Sequence, residues 1–204
     1  MIRADVKAKA VFLGDSGVGK TSIILRNDGR PFQATYSATL GANFVVCTIK
    51  VGDSSVELQM WDTAGQERFR SMVPMYLRNS RVVFLVYDIT DRKTFRNLDS
   101  WATDADRANT SNDFKFVVLG NKSDLAKQRR VTTEEGQRFA DSIHALFFET
   151  SALQDTGIAT AVTKLAQSLV ISEAEKKSPP HFDGHEDDDA PLDATPATFG
   201  CCFS

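Results

Sequence analysis

Residues Gly14 to Thr21 can bind phosphate, because they read Gly-Asp-Ser-Gly-Val-Gly-Lys-Thr and follow an apolar run typical of a buried strand. Glycines let successive backbone N–H groups approach phosphate oxygens at the start of a helix. Lys20 would contact the β- and γ-phosphates, and the Thr21 hydroxyl would ligate Mg²⁺. A plain turn matches these positions by chance in roughly one such chain in a hundred. The nucleotide contacts predicted here are Asp15, Ser16, Gly17, Val18, Gly19, Lys20, Thr21 and Ser22.

A second polar group, Asp62 to Glu67, follows a strand that ends at Trp61. A carboxylate at the end of a strand beside a phosphate loop can hold Mg²⁺, usually through a water, so Asp62 is a candidate metal ligand. The Gly65 N–H can reach a γ-phosphate, and Gln66 can orient an attacking water. Gln66 and Lys20 are therefore the candidate catalytic residues. In isolation, a polar loop that contains a glycine is the commoner interpretation of such residues.

A third group, Asn121-Lys122-Ser123-Asp124, ends another apolar strand. The Asp124 carboxylate can accept hydrogen bonds from the N1–H and the exocyclic amine of guanine, a pair that adenine does not offer. Such a site discriminates between the purines by about 10⁴ or more, because the wrong base leaves buried polar groups unpaired. The residues predicted to contact the base are Asn121, Lys122, Asp124 and, through backbone N–H groups, Ser151, Ala152 and Leu153.

The hydrophobic pattern predicts an α/β domain in which these groups follow the strands. The predicted strands are Ala10 to Leu13, Phe44 to Val51, Val56 to Trp61, Val82 to Tyr87, Phe114 to Leu119 and Ala145 to Glu149. The predicted helices are Lys20 to Arg26, Lys93 to Ala108, one that begins at the capping box Thr132 to Glu135, and Ile158 to Ile171. We expect a six-stranded, mostly parallel sheet with helices on both faces and ligands at the carboxyl ends of the strands.

Charge divides the chain into two parts. All 24 Lys and Arg and 21 of the 27 acidic residues lie at or before Lys177, which leaves six acidic residues and no Lys or Arg in 178–204. That segment is rich in Pro and Asp and has little to bury, so we expect one domain over 1–177 and a disordered acidic tail over 178–204. Three cysteines do not form a disulfide framework, which favours a reducing cytosol. The sequence shows no basic stripe with interleaved aromatics, so nucleic acid is not an expected partner.

Taken together, the motifs resemble the Ras-like small GTPases over residues 8 to about 171, and within them the Rab branch. The resemblance implies a P-loop G domain that binds GTP, hydrolyses it slowly to GDP with Mg²⁺ and acts as a nucleotide-dependent switch. Phe32 matches the aromatic residue that packs on guanine. Thr39, in a first switch loop, would ligate Mg²⁺ and touch the γ-phosphate only in the GTP state. The exposed aromatic residues that Rab proteins present to effectors match Phe44, Trp61 and Tyr76.

The chain departs from the family pattern at three positions. Asn27 stands where Rab proteins usually carry an apolar aromatic, which affects the packing of the first helix. Leu153 replaces the usual Lys and would cover the base by apolar contact alone. Ser16 stands where Ras has Gly, a variation that Rab proteins share.

Tyr36 occupies the place of the arginine finger of heterotrimeric G-protein α subunits, so a GTPase-activating protein would have to supply that charge.

The final residues, Gly200-Cys201-Cys202-Phe203-Ser204, resemble the paired-cysteine ends that Rab proteins have geranylgeranylated on both sulfurs. A single farnesyl group on Cys201 is the alternative. Two lipids on Cys201 and Cys202 are favoured, because one chain anchors weakly and the acidic tail would be repelled by anionic lipid.

The resemblance also implies a set of partners. These are effectors, an exchange factor, a GTPase-activating protein, and chaperones for prenylation and membrane extraction. We expect a monomer on the cytoplasmic face of a Golgi or endosomal membrane that cycles with the cytosol and serves vesicle trafficking.

Two other classes of function share some of these features. A P-loop kinase would contain Gly14 to Thr21 but would also need an acceptor site and a lid that carries arginine, and the guanine-recognition motif argues against it. A membrane-tethered scaffold that binds GTP without turning it over is closer, and Gln66 argues against that alternative.

Overall fold

The computed structural model describes residues 5–33, 42–63, 71–108 and 114–177. The strands are β1 Val6–Leu13, β2 Ala42–Val51, β3 Ser54–Thr63, β4 Val82–Asp88, β5 Lys115–Asn121 and β6 Leu146–Thr150. The helices are α1 Lys20–Asn27, α2 Val73–Leu77, α3 Arg92–Arg96, α4 Leu98–Ala108, α5 Thr133–Ser142 and α6 Ile158–Lys177, and a 3₁₀ helix covers Ser123–Gln128. Within these ranges, no helix has the length and apolar character that crossing a bilayer requires.

The six strands form one sheet in the order β2-β3-β1-β4-β5-β6. Only the β2–β3 hairpin is antiparallel, and the other neighbours pair in parallel. Parallel pairing requires a crossover between strands, and the helices that supply it cover both faces of the sheet. This confirms the predicted α/β fold. Because β1 lies between β3 and β4, the residues that follow these three strands meet at one edge.

Each face of the sheet carries its own hydrophobic core. On one face, Phe12 of β1 stacks on Phe84 of β4 with ring centroids 4.3 Å apart, and helices α1 and α6 cover them. On the other face, Leu13, Leu85 and Trp101 are among the buried residues that pack with α2, α4 and α5. Every residue of β4 is buried, as its continuous apolar sequence predicts. The two cores hold the ends of the strands in fixed positions.

The helix predicted over Lys93 to Ala108 is wrong as one element, because two helices meet at Asn97. Asn97 keeps a helical backbone (φ −73°, ψ −11°), so the interruption is slight. Its side chain donates a hydrogen bond to the Asp15 carboxylate in the loop after β1. The break thus lies at the residue whose side chain contacts the loop between β1 and α1.

The predicted hairpin loop of four residues is shorter in the structure. Val51 pairs with Ser54, so the turn consists of Gly52 and Asp53 alone. Gly52 has φ +59°, the left-handed backbone that two-residue hairpin turns need. The last helix is longer than predicted and continues to Lys177, because polar residues continue it beyond the apolar pattern.

The capping box that predicted the start of α5 is confirmed. The Thr132 hydroxyl accepts a hydrogen bond from the Glu135 N–H at 3.2 Å, and the Glu135 carboxylate accepts one from the Thr132 N–H at 2.9 Å. These bonds satisfy backbone donors that the first turn of a helix leaves unpaired. The local sequence therefore fixes the first residue of this helix.

Candidate functional site

The loop between β1 and α1 requires glycine at two positions because other backbone atoms come very close. A Cβ on Gly14 would lie 2.2 Å from the Val86 carbonyl oxygen, and one on Gly19 would lie 2.3 Å from Nδ2 of Asn121. Both glycines also have positive φ, +142° and +101°. The loop is thus pressed against β4 on one side and against the end of β5 on the other. Glycine at these two positions therefore allows the close approach of backbone that the sequence analysis expected of a phosphate loop.

Lys20, the first residue of α1, is buried and bends back over this loop. Its Nζ donates hydrogen bonds to the carbonyl oxygens of Gly14 at 2.8 Å and Asp15 at 2.9 Å. Burial lowers the pKa of Lys20 to about 8, although the carboxylates of Asp62 and Asp15 partly oppose that change. The ammonium is therefore fixed where a phosphate group would restore its charge stabilisation.

The two described residues predicted to ligate Mg²⁺ lie in contact. The Thr21 Oγ1 donates a hydrogen bond to Asp62 Oδ2 at 2.7 Å, which joins the first turn of α1 to the end of β3. A hydroxyl and a carboxylate oxygen suit Mg²⁺, which prefers oxygen ligands and usually keeps waters and substrate phosphates in its shell. The described residues contain no group of three or more His, Cys, Asp or Glu that could hold a metal ion. Thr21 and Asp62 therefore fit a magnesium ion that is shared with a phosphate.

Asn121 joins the phosphate loop to the predicted base site. Its Nδ2 donates a hydrogen bond to the Val18 carbonyl oxygen at 2.8 Å, and its Oδ1 accepts one from the Thr150 hydroxyl at 3.1 Å. Asn121 and Thr150 are fully buried, so these bonds are shielded from water. One amide side chain thus connects the ends of β5 and β6 to the loop after β1.

The remaining base-site residues cluster around the ends of β5 and β6. Lys122 has a left-handed backbone (φ +67°), and its Nζ pairs with Asp88 Oδ2 at 2.7 Å. Such a conformation is strained for a residue with a Cβ, and strain of this kind is concentrated at functional sites. The Asp124 carboxylate accepts a hydrogen bond from the Ser151 hydroxyl. The structure therefore brings together the two segments that the sequence assigned to guanine.

The two residues that follow Ser151 differ in exposure. Ala152 is buried, whereas the Leu153 side chain is 53% exposed. An exposed leucine next to the base site is available for apolar contact with a ligand, and burying it would be favourable. Phe32, predicted to pack on guanine, is half-buried and contacts the core on the α1 and α6 face of the sheet.

Asp15 contributes to the site in a way that the sequence did not indicate. Its carboxylate accepts hydrogen bonds from Asn97 Nδ2 at 2.6 Å and from Trp101 Nε1 at 2.9 Å. Asn97 and Trp101 lie more than 80 residues further along the chain. Both residues lie in the helix predicted over Lys93 to Ala108, and no local spacing relates either of them to the loop.

Two of the three predicted effector-binding aromatics stack on each other. The rings of Phe44 on β2 and Trp61 on β3 lie 5.2 Å apart with an interplanar angle of 19°. The Lys9 ammonium lies 4.6 Å from the Trp61 ring centroid and donates to the Arg78 carbonyl oxygen at 3.1 Å. Phe44 is 53% exposed, although a phenylalanine is more often buried. The third, Tyr76, lies on α2 and packs against the core on that face.

Asn27, the residue that departs from the pattern at the end of α1, lies against β3. Its Nδ2 donates to the sulfur of the buried Met60 at 3.7 Å. A weak sulfur contact thus takes the place of an apolar one. The predicted site residues Thr39, Gly65 and Gln66 and the predicted lipidation sites Cys201 and Cys202 lie outside the described residues.

A comparison with protein-family models matches residues 9–171 of this chain to the Ras family. The matched region begins within β1 and ends within α6, so it contains the end of β1, the other five strands and the loops that join them.

Proposed function

Because this chain belongs to the Ras family of small GTPases, which bind guanine nucleotides and act as molecular switches, we propose that it is a Rab-type member that directs vesicle trafficking. In this proposal the chain exchanges GDP for GTP, recruits effectors to a membrane in the GTP form, and returns to the GDP form by slow hydrolysis. The family membership rests on the matched domain, and the Rab assignment rests on the sequence motifs and the exposed aromatic stack.

The observation that carries the nucleotide site is the hydrogen bond from Asn121 to Val18. This bond joins the loop after β1 to the end of β5, so the segments that we propose for the phosphates and for the base adjoin each other. A nucleotide has its base at one end and its phosphates at the other. A site for it therefore needs a base-binding segment and a phosphate-binding segment next to each other at one edge of the sheet. Asp124 would accept hydrogen bonds from guanine, and Lys20 with the loop amides would hold the phosphates.

We assign the metal and the hydrolytic step to separate residues. Thr21, Asp62 and Thr39 would hold Mg²⁺, which when bound neutralises charge on the β- and γ-phosphates. Gln66 would orient the attacking water, and Lys20 would stabilise the charge that develops on the phosphate oxygens. In the GTP form, Thr39 and Gly65 would both contact the γ-phosphate. Its loss releases both segments at once, which changes the surface that partners recognise.

The stacked aromatics support an effector surface. Phe44, Trp61 and Tyr76 belong to β2, β3 and α2, which flank the two segments that would respond to the γ-phosphate. Phe44 is exposed, and Trp61 and Tyr76 are partly buried. Aromatic residues are typical of protein interfaces, where they bury a large area at low entropic cost. Val46, Met72 and Met75 add exposed apolar surface on the same three elements or next to them. An effector with an apolar face would therefore distinguish the two nucleotide states here.

Membrane attachment is proposed from the sequence of the tail. Two geranylgeranyl groups on Cys201 and Cys202 would hold the chain on the cytoplasmic face of a Golgi or endosomal membrane, whereas a single lipid gives only marginal binding. The acidic residues of 178–204 would not assist a single lipid, because anionic headgroups repel them. Prenylation and membrane-extraction chaperones, an exchange factor and a GTPase-activating protein complete the expected set of partners.

The base assignment is tested by Asp124→Asn in a competition between GTP and XTP. The carboxamide offers one donor and one acceptor, which suit the carbonyl and N1–H of xanthine but not the two donors of guanine. We expect the preference to shift from GTP to XTP by about 10² or more. Asp106→Asn, an exposed change on α4, is the matched control and should keep the preference for GTP. A variant at position 124 that still selects GTP would remove Asp124 from the base site.

A GTP-binding scaffold without turnover is the second candidate, and Gln66 separates it from a switch. We expect Gln66→Leu to bind GTP normally and to lose most hydrolysis, measured as phosphate release with and without a GTPase-activating protein. Gln137→Leu on the exposed face of α5 should hydrolyse GTP like the wild type. If the wild type releases no phosphate even with activating proteins, the scaffold is the correct function.

A further inference from the structure

We propose that Asn97 and Trp101 are positioning residues that act through Asp15 to hold the phosphate loop closed and slow nucleotide release. This inference rests on the proposed nucleotide site and adds to it a contact between the loop and the junction of α3 and α4. The three residues are called the Asp15 latch below.

The geometry of the Asp15 latch uses both carboxylate oxygens of Asp15. Asn97 Nδ2 donates to Oδ2 at 2.6 Å, and Trp101 Nε1 donates to Oδ1 at 2.9 Å. The two donors are one helical turn apart, and the Trp101 N–H donates to the Asn97 carbonyl oxygen at 3.1 Å. Residues spaced by four positions lie on the same face of a helix, so both donors can address one carboxylate. This face of the helix is therefore turned toward the loop.

The surroundings make the contact strong. Trp101 is 3% exposed and packs in the core with Leu98 and Leu85, so its indole N–H has a fixed position. Both bonds are from a neutral donor to a charged acceptor, and such bonds are shorter and stronger than those between neutral groups. Because the core holds Trp101, the helix positions the Asp15 carboxylate rather than the reverse.

The latch fixes the backbone of the loop as well as the carboxylate. The Asp15 carbonyl oxygen accepts a hydrogen bond from Lys20 Nζ at 2.9 Å, so the same residue faces the core with its side chain and the phosphate lysine with its backbone. Rotation of Asp15 would move that carbonyl and release one of the two bonds that hold the ammonium. Loss of the latch should therefore loosen the loop, and the nucleotide should leave faster.

The test is the rate at which full-length protein loaded with fluorescently labelled GDP releases it into excess GDP. We expect Asp15→Ala and Asn97→Ala each to release the nucleotide about tenfold faster, the change that corresponds to about 1.4 kcal/mol. Because the two side chains act on each other, the double variant should release it no faster than the faster single variant. Additive effects of the two substitutions would overturn the inference.

An exchange of the two groups gives a rescue that a merely structural role would not show. Asn97→Asp alone places two carboxylates together and should speed release most. Combined with Asp15→Asn, the carboxamide at position 15 can donate to the carboxylate at position 97 and still accept the Trp101 N–H. The combined variant should therefore release GDP at close to the wild-type rate. Failure of this rescue, with both single variants fast, would overturn the inference.

Ala105→Gly is the matched control for destabilisation of α4. It lies on the buried face of the same helix, one turn after Trp101, and leaves all three latch side chains in place. Glycine in a helix interior costs about 1 kcal/mol. It should lower the melting temperature and leave the release rate unchanged. Wild-type protein that retains labelled GDP, with latch variants that release it at the same rate, would overturn this inference alone. Wild-type protein that retains none would overturn the proposed function and this inference together.

Discussion

Lys20 is the residue whose charge depends most directly on the ligand. Burial lowers its pKa to about 8, so in the free protein it is about half protonated at pH 8. A bound phosphate favours the charged form and raises that pKa. We therefore expect GDP binding at pH 8 to take up about half a proton, and the GDP affinity to fall as the pH rises above 8. Titration calorimetry at pH 8 in buffers of different ionisation enthalpy measures the uptake directly.

Lys20→Arg is the control for this measurement. The guanidinium stays charged throughout this pH range, so GDP that still binds should take up no proton at this position. Equal proton uptake by the wild type and the arginine variant would show that another group is responsible.

The Tyr87 hydroxyl is a buried polar group that we expect to add nothing to the free energy of unfolding. It is fully buried, and in the described part of the chain it has no hydrogen-bond partner. It lies against Gly120 and Gly136, where a Cβ would come within 2.7 and 2.5 Å of the oxygen. Tyr87→Phe should therefore leave the free energy of unfolding unchanged or raise it by up to about 1 kcal/mol, measured by urea denaturation.

Thr150→Val is the contrasting variant for Tyr87→Phe. Thr150 is as deeply buried as Tyr87, but its hydroxyl donates to Asn121. Removing the hydroxyl leaves the Asn121 oxygen without that donor and should cost about 1–3 kcal/mol. If Tyr87→Phe costs as much as Thr150→Val, the Tyr87 hydroxyl has a partner after all.

At the scale of elements, α5 depends on its capping box. Thr132→Ala removes the hydroxyl that accepts the Glu135 N–H, and we expect it to lower the free energy of unfolding by about 1 kcal/mol. Thr132→Ser keeps the acceptor and should stay within a few tenths of a kcal/mol of the wild type. Urea denaturation of both variants tests this, and equal losses would show that the cap does not stabilise the fold.

Elements whose signal is local could be predicted from the sequence. β4 is predicted by a nearly continuous apolar run, and the helix cap at Thr132 is predicted by four consecutive residues. No local signal marks the break at Asn97, whose side chain contacts a carboxylate 82 positions away. The same limit applies to the Asp15 latch, since hydrogen bonds between distant elements leave no periodicity. The motif residues were predictable because each follows a strand, and parallel strands end at one edge.

At the scale of the whole molecule, the division near Lys177 is a prediction that truncation can test. We expect 1–177 to unfold at the same temperature as the full chain and to bind GDP equally well, because its sequence contains the core and the site residues. The same truncation should lose membrane association. Differential scanning fluorimetry with and without GDP, and flotation of prenylated protein on vesicles, measure the two properties.

A shorter truncation serves as the control for the membrane experiment. Removal of Cys201 to Ser204 alone should abolish flotation as completely as removal of 178–204, because both truncations remove the proposed lipidation sites. A lower melting temperature for 1–177 would show that the acidic segment contributes to the folded domain.

The strand order also sets the sequence of events during synthesis. β1, β3 and β4 are neighbours at the centre of the sheet, and all three are synthesised before β5 and β6. The loop after β1 thus acquires its neighbouring strands β3 and β4 early, whereas Asn121, which contacts the loop from the end of β5, is made later. A nascent chain that stops before β6 lacks Thr150 and Ser151, whose hydroxyls donate hydrogen bonds to Asn121 and Asp124. Guanine nucleotide can therefore act as a ligand that favours the finished domain over its unfinished forms.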